Sequence, residues 1–154
     1  MKTMDQWFDE YAESHQHKTN QLIHKICVPL IYFSIIGLLM SINTAFLQKI
    51  IGLKNPLIEN WATVISILIL VFYLRLSFTV FFKMFVFTVL SIIGNYYIAN
   101  SFNLLYVSIS IFIITWIGQF YGHHLEGKKP SFFKDLQFLL IGPPWVLKKM
   151  FGKK

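Results

Sequence analysis

Hydrophobic residues of this chain fall into long runs that are separated by short polar stretches. A helix needs roughly 20 mostly apolar residues to cross a bilayer. Four runs approach that length and predict spans at about 26–42, 61–74, 84–98 and 104–120. The second run ends before Arg75, because an arginine at the bilayer centre costs about 2.5–3.5 kcal/mol on insertion scales. The pattern predicts an all-α fold, a polytopic membrane helical bundle of about four transmembrane helices.

Two further segments, near the ends of the chain, have a different pattern. Over 4–14, apolar residues recur at helical spacing among acidic ones, which predicts an amphipathic helix at the membrane interface. The segment 132–147 is interrupted by a Gly-Pro-Pro sequence at 142–144, so it predicts an interfacial or re-entrant element. Together these elements predict a single membrane domain over 1–154.

Composition and charge also indicate a membrane protein, and they limit the kinds of molecule that it is expected to bind. Hydrophobic residues make up 55% of the chain and charged residues 14%, against roughly 25% charged in soluble domains. The net charge is +7, but the basic residues border apolar segments and form no stripe interleaved with aromatics. Membrane lipids with anionic headgroups are therefore the expected partner, and nucleic acid is not.

The distribution of lysine and arginine predicts the orientation of the spans. Four spans place most basic residues on one face, which the positive-inside rule assigns to the cytoplasm. These residues are Lys2, Lys18, Lys25, Arg75, Lys83, Lys128, Lys129, Lys134 and the lysine-rich tail. Lys49 and Lys54, in the first loop, fall on the other face. We predict an integral multi-pass protein with both termini cytoplasmic, in a bacterial inner membrane or the endoplasmic reticulum.

All five histidines lie either just before the first predicted span or just after the fourth. They are His15, His17, His24, His123 and His124. An even number of spans puts both groups on one membrane face, and neutral imidazole binds iron, zinc or copper. The alternative is that histidines are simply tolerated at an interface, and clustering alone leaves both interpretations open. Five histidines are too few for the repeated clusters of two-iron membrane desaturases, so the number favours one metal.

Helix geometry adds a test of which histidines meet. On one continuous helix, His17, Asn20 and His24 share a face at spacing i, i+3, i+7, while His15 points elsewhere. If instead the amphipathic helix ends near Ser14 and a new helix begins near Thr19, His15 lies on the connecting turn. From there it can fold back toward His24.

Specific motifs lie at both ends of the chain. They read Tyr11-x3-His15-x4-Asn20-x3-His24-x4-Pro29, then Trp116-x2-Gln119-x2-Gly122-His123-x2-Glu126-x3-Pro130, and finally Gly142-Pro143. With these motifs the chain resembles the Mpo1-like family over nearly its whole length. The resemblance implies a multi-pass membrane iron(II) dioxygenase. Such an enzyme uses O2 to shorten 2-hydroxy long-chain fatty acids by one carbon, an α-oxidation on the degradation route of the sphingolipid base phytosphingosine.

The resemblance also implies roles for individual residues. His15, His24 and His123 correspond to the ligands of one Fe(II), whose remaining positions would accept O2 and the carboxylate and 2-hydroxyl of the substrate. Catalytic positions correspond to Asn20, Gln119 and Glu126, with the two amides orienting ligands or substrate. His17 and His124 fall outside the pattern.

Two other classes of protein fit the same chain. A haem-binding electron carrier would use two histidines that face each other across spans. A small transporter or structural membrane protein would use Arg75 as its intramembrane charge. The predicted spans hold no acidic partner for Arg75, and its long side chain can reach the headgroups instead.

Overall fold

The computed structural model describes residues 3–13, 15–125, 127 and 132–151, with the backbone alone at 132–139 and 151. These ranges contain seven α-helices and no β-strand, which confirms the predicted all-α class. The helices are α1 (Met4–Glu13), α2 (Lys18–Met40), α3 (Ala45–Ile51), α4 (Trp61–Leu76), α5 (Phe78–Ser101), α6 (Leu104–Leu125) and α7 (Phe132–Phe151).

Among the described residues, three helices are long and apolar enough to cross a membrane: α2, α5 and α6. The fourth predicted span corresponds to α4, which has only 16 residues. At about 1.5 Å per residue it is shorter than the roughly 30 Å hydrocarbon core. The predicted number of four spans is therefore not confirmed.

The helices able to cross a membrane extend beyond the boundaries that the apolar runs predict. α2 begins at Lys18 instead of residue 26, and α6 continues to Leu125 instead of residue 120. Hydropathy marks only the stretch that matches hydrocarbon, whereas backbone hydrogen bonding carries a helix onward into polar residues. This extension matters for the site, because it adds helical turns that hold polar side chains.

The chain divides into two compact units, and the first comprises the described parts of 1–32 and 112–154. In this unit α1 packs on α7 through its buried side chains Met4, Phe8 and Tyr11. Lys148 of α7 lies 3.2 Å from the carboxylate of Asp5 and above the ring of Phe8. The amphipathic face predicted over 4–14 is thus covered by the C-terminal helix.

α7 runs without a break through Pro143 and Pro144, so the expected interruption at 142–144 is absent. Each proline removes a hydrogen-bond donor from the helix. Residues 141–147 are nevertheless all buried, and Gly142 lies close to Tyr11 and Val28. Tertiary packing outweighs the low helix propensity of proline here.

The second unit, 33–111, has a polar interior. Its buried side chains include Ser34, Thr88, Ser91, Asn95 and Ser108. The Asn95 amide donates hydrogen bonds to the carbonyl oxygens of Phe33 (3.0 Å) and Ser91 (2.9 Å), which ties α5 to α2. Small residues and hydrogen bonds of this kind hold helices together in membranes, where apolar burial supplies little driving force.

Gly37→Ala should destabilise this interior strongly. A Cβ at Gly37 would overlap both the Asn95 amide oxygen and the Ser108 hydroxyl, neither of which lies at the end of a long flexible side chain. Overpacking of this kind costs about 1–3 kcal/mol. We expect a lower midpoint of thermal unfolding in detergent. Gly94→Ala is the matched control, because its Cβ would meet only the edge of the Phe33 ring at 3.0 Å. Equal midpoints for Gly37→Ala and wild type would contradict the prediction.

Candidate metal centre

His15 lies in the short connection between α1 and α2, and its side chain is 2% exposed. Its backbone N–H donates to the carbonyl oxygen of Ala12, which closes a turn after α1. The turn directs the ring toward α2, where the centroids of His15 and His24 lie 4.2 Å apart. Of the two helix arrangements that spacing left open, the structure has the one with a non-helical connection, because residues 15–17 lie outside both α1 and α2, and this connection brings the two histidines together.

His24 and His123 complete a cluster of three imidazoles within the first unit. His24 lies on α2 and is 1% exposed, and His123 lies in the last turn of α6 and is 7% exposed. The His123 ring centroid is 5.0 Å from that of His24 and 5.4 Å from that of His15. The three residues offer ligand atoms that all lie within 4.8 Å of one another. The structure therefore gathers the three histidines that the motifs single out.

Backbone carbonyls orient two of the three rings. Nδ1 of His15 lies 2.6 Å from the Tyr11 carbonyl oxygen, and Nδ1 of His24 lies 3.0 Å from the Asn20 carbonyl oxygen. A carbonyl only accepts, so each Nδ1 carries the proton and donates it. The lone pair then lies on Nε2. Metal-binding histidines use this arrangement, in which the second nitrogen fixes the tautomer and the ring orientation.

Aromatic packing closes the cluster on the side of α1 and α7. The Tyr11 ring stacks on His15 at 4.1 Å with an interplanar angle of 9°, and Trp145 lies 5.7 Å from His15. Tyr11 and Trp145 also contact each other. The sequence motif contained Tyr11 without indicating this role, and Trp145 gave no signal because its segment was predicted as broken.

Two glycines on α6 allow that helix to approach α2 beside the cluster. A Cβ at Gly118 would lie 2.8 Å from the Cys27 sulfur, and one at Gly122 would overlap the buried Asn20 amide oxygen. Gly118 and Gly122 are four residues apart and so lie on one face of α6. Such a small-xxx-small spacing is the sequence signal that identifies a close helix contact.

Gln119 lies one helical turn before His123, and its side chain is 5% exposed. Its amide nitrogen is buried and has no hydrogen-bond acceptor in the described part of the chain, and the same holds for the indole nitrogen of Trp116. A buried donor without an acceptor costs roughly 1–3 kcal/mol. The two donors are i and i+3 on α6, so they share a face and can serve one acceptor from outside the protein.

Of the remaining predicted residues, His17 and His124 do not join the cluster, whereas Asn20 lies beside it. His17 precedes α2 and is exposed, with its Nδ1 accepting a hydrogen bond from the backbone N–H of Thr19. His124 is also exposed. Asn20 is fully buried next to Gly122. Glu126 lies outside the described residues.

A positive charge that the sequence did not single out lies on α7 next to Trp145, the residue that packs against His15. The Lys149 ammonium is 4.2 Å from the centroid of the Trp145 ring and donates to the Gln21 amide oxygen at 3.1 Å. Partial burial lowers the pKa of Lys149, and repulsion from Lys25 lowers it further. This repulsion means that the positive potentials of Lys149 and Lys25 add, which favours an anion near them.

Gly122→Ala should weaken metal binding, and because its Cβ would overlap the buried Asn20 amide oxygen it should also lower the midpoint of thermal unfolding. Its methyl group would displace the Asn20 amide, and it would lie 3.5 Å from the His24 ring. Disturbing the support of a metal ligand typically costs about 10–100-fold in affinity. Iron titration of the purified protein measures the effect. Ile117→Ala, at an exposed position on the same helix, is the control and should bind iron as wild type does. Unchanged affinity in Gly122→Ala would contradict the prediction.

The donor set of the cluster fits a transition-metal ion. Three neutral imidazoles suit iron, zinc or copper and leave coordination positions for other ligands. Metal–nitrogen bonds of about 2.0–2.1 Å would bring the ligand atoms closer together than their present limit of 4.8 Å, so the side chains would shift on binding. Over the described residues, fold and site together define a helical protein that has three helices able to cross a membrane and one buried three-histidine cluster able to hold a metal ion.

The chain belongs to the Mpo1-like family. The family model, described as "2-hydroxy-palmitic acid dioxygenase Mpo1-like", matches residues 1–154. Comparison with curated proteins and with solved structures gives no match.

Proposed function

We propose that this protein is an Fe(II)-dependent membrane dioxygenase that converts 2-hydroxy long-chain fatty acids to the fatty acid one carbon shorter. The observation that carries the proposal is the buried cluster of His15, His24 and His123 in a chain of the Mpo1-like family. The reaction R–CHOH–COOH + O2 → R–COOH + CO2 + H2O balances in atoms and electrons. It requires no additional reductant.

The three histidines would hold the metal through their ring nitrogens, and backbone carbonyls fix two of the rings in advance. Iron bound here would supply the redox chemistry for O2 and a point of attachment for the hydroxyl and carboxylate oxygens of the substrate. Tyr11 and Trp145 cover the His15 ring and so limit the access of water from their side.

Side chains around the cluster supply recognition of a 2-hydroxy acid. Lys149 and Lys25 attract the carboxylate through their positive potential. The buried N–H groups of Gln119 and Trp116 gain acceptors when an oxygen-rich headgroup enters. A hydrogen bond to a charged oxygen contributes about 1.5–3 kcal/mol, more than a neutral one. Gln119 is thus assigned to substrate binding.

The acyl chain would remain in the membrane. Leu22 and Ile26 flank His24 in sequence and are 59% and 58% exposed, and Ile117 of α6 is also largely exposed. Apolar side chains exposed in this way on helices able to cross a bilayer face lipid tails. A fatty acid can therefore present its headgroup to the cluster without leaving the bilayer.

The geometry argues against the haem carrier. The rings of His15, His24 and His123 pack edge to face at centroid distances of 4.2 to 5.4 Å, which leaves no gap for a porphyrin between any two of them. The structure also argues against the transporter hypothesis, which rested on Arg75 as an intramembrane charge. Arg75 is exposed in the last turn of α4.

Anaerobically purified protein loaded with Fe(II) tests the proposal. We expect oxygen consumption with 2-hydroxypalmitate and release of the saturated acid one carbon shorter, with one O2 used per substrate. Palmitate is the matched control, because it lacks only the hydroxyl group and should not react. Iron-loaded protein that neither consumes oxygen nor forms the shorter acid would overturn the proposal.

A further inference from the structure

The second unit contains a cavity of about 430 Å³. It lies between the C-terminal ends of α2 and α5, helix α3, the loop before α4 and the beginning of α6. Polar lining residues include Thr44, Gln48, Glu59, Tyr96 and Asn100. Neither the three histidines nor the residues assigned to substrate binding take part in it.

Glu59 is the unusual residue of this cavity, because its side chain is only 2% exposed. Its Oε1 accepts a hydrogen bond of 2.5 Å from the backbone N–H of Leu53. In the described ranges, no lysine, arginine or histidine forms an ion pair with it, and the nearby Lys49 and Lys54 are exposed. A buried carboxylate is costly unless a positive charge accompanies it.

The hydrogen bonds that stabilise the backbone around Glu59 do not require a charged side chain at this position. Asn60 caps α4 by accepting from the Thr63 N–H at 2.9 Å, and its amide donates to the Pro56 carbonyl. The bond from Leu53 needs only an acceptor oxygen, which a neutral amide would provide equally well. The N-terminus of α4 lies next to Glu59 in sequence and favours a negative charge there. The carboxylate is thus held in place without a counter-ion of its own.

We propose that this cavity binds a primary ammonium group, with Glu59 as its counter-ion. An ammonium donates three hydrogen bonds, and acceptors besides the carboxylate are available in the amide oxygens of Gln48 and Asn100. The Gln48 nitrogen already donates to the Thr44 hydroxyl at 3.1 Å, which leaves its oxygen to accept. Ca²⁺ takes six to eight oxygen ligands and Mg²⁺ six, whereas Glu59 is the only carboxylate among the described lining residues, so an ammonium fits this cavity better than either metal ion.

The position of the cavity points to the lipid headgroup region as one source of the amine. It lies where α2 and α5 end and α6 begins, and these are the three helices of the described ranges that are able to cross a membrane. The ends of such helices reach the headgroup level of a bilayer. A phospholipid with a primary amine and a free amine of the same chemistry are the two sources to distinguish.

Native mass spectrometry of the full-length protein distinguishes them. The probes are phosphatidylethanolamine and phosphatidylcholine with identical acyl chains, and free ethanolamine. The choline headgroup keeps the positive charge but has no N–H donor, so we expect phosphatidylethanolamine to be retained about tenfold better, the scale of one charge-assisted hydrogen bond. Binding of ethanolamine without this lipid preference would assign the cavity to a free amine. Equal retention of the two phospholipids together with no binding of ethanolamine would overturn the proposal.

Glu59→Gln is the decisive variant, because it keeps an acceptor for the Leu53 N–H and removes the charge. We expect the tenfold preference to disappear. Asp9→Asn removes an exposed carboxylate in the other unit and is the matched control. Asn100 lines the cavity at an exposed position, so the leucine of Asn100→Leu would fill part of the cavity. If Glu59→Gln does not fold, the loss of lipid preference is measured in this variant instead. Unchanged preference in both cavity variants would overturn the proposal. The readout involves no oxidation, so it is independent of the proposed dioxygenase activity.

Discussion

Alanine in place of His15, His24 or His123 is expected to abolish iron binding, whereas His17→Ala and His124→Ala should retain it. The first three side chains are buried with their rings in contact, and the other two are exposed. Removing a residue that only orients a metal ligand lowers affinity roughly 10–100-fold. Removing one of three protein ligands should lower iron affinity by more than that. The five variants together use every histidine of the chain.

Metal content after anaerobic reconstitution with Fe(II) measures this result. Each variant is compared at equal protein concentration, after its thermal midpoint has shown that it is folded. His17→Ala and His124→Ala serve as matched controls, since they remove an imidazole without touching the cluster. Full iron content in any variant of the buried trio, or equal loss in the exposed pair, would refute the assignment of ligands.

Gln119→Leu should lower turnover by about 10²-fold, the scale for removing one donor aimed at a reacting oxygen, while iron content stays the same. The substitution removes a buried N–H that has no acceptor in the described part of the protein. Removing such a donor does not destabilise a fold and can stabilise it. We therefore expect an unchanged or higher thermal midpoint together with the loss of activity. A purely structural glutamine would show the opposite combination.

Steady-state kinetics with 2-hydroxypalmitate separate the possible roles of Gln119. A rise in KM with constant kcat would indicate a contact that is equal in ground and transition states, and a fall in kcat would indicate one that strengthens during the reaction. Phe120→Leu, an exposed position on the same helix, is the control. Full activity in Gln119→Leu would remove this residue from the site.

The sequence was sufficient to predict the site in outline. The motifs at both ends of the chain singled out His15, His24 and His123, which the structure brings together, whereas helix spacing left open whether a break places His15 next to His24. The role of His17 could not be decided from spacing alone. Its place on the His24 face required one continuous helix, but α2 begins at Lys18 and leaves His17 outside.

Other features of the structure could not be predicted from the local sequence, because they depend on contacts between distant parts of the chain. Two adjacent prolines predict an interruption, yet burial of 141–147 keeps α7 helical. The length of α4 depends on where its caps form, at Asn60 and Ser77. Glu59 appears in the sequence as one more charged residue of a polar loop, and only its burial in the folded unit makes it informative.

The hydrogen bonds that orient His15 and His24 have a consequence for mutational robustness. Their acceptors are the main-chain carbonyls of Tyr11 and Asn20, each four residues earlier in the chain. No side-chain substitution at these two positions deletes either acceptor. Substitutions at positions 11 and 20 can therefore weaken metal binding through the packing around the rings, but they do not remove the hydrogen bonds that fix the tautomers of His15 and His24.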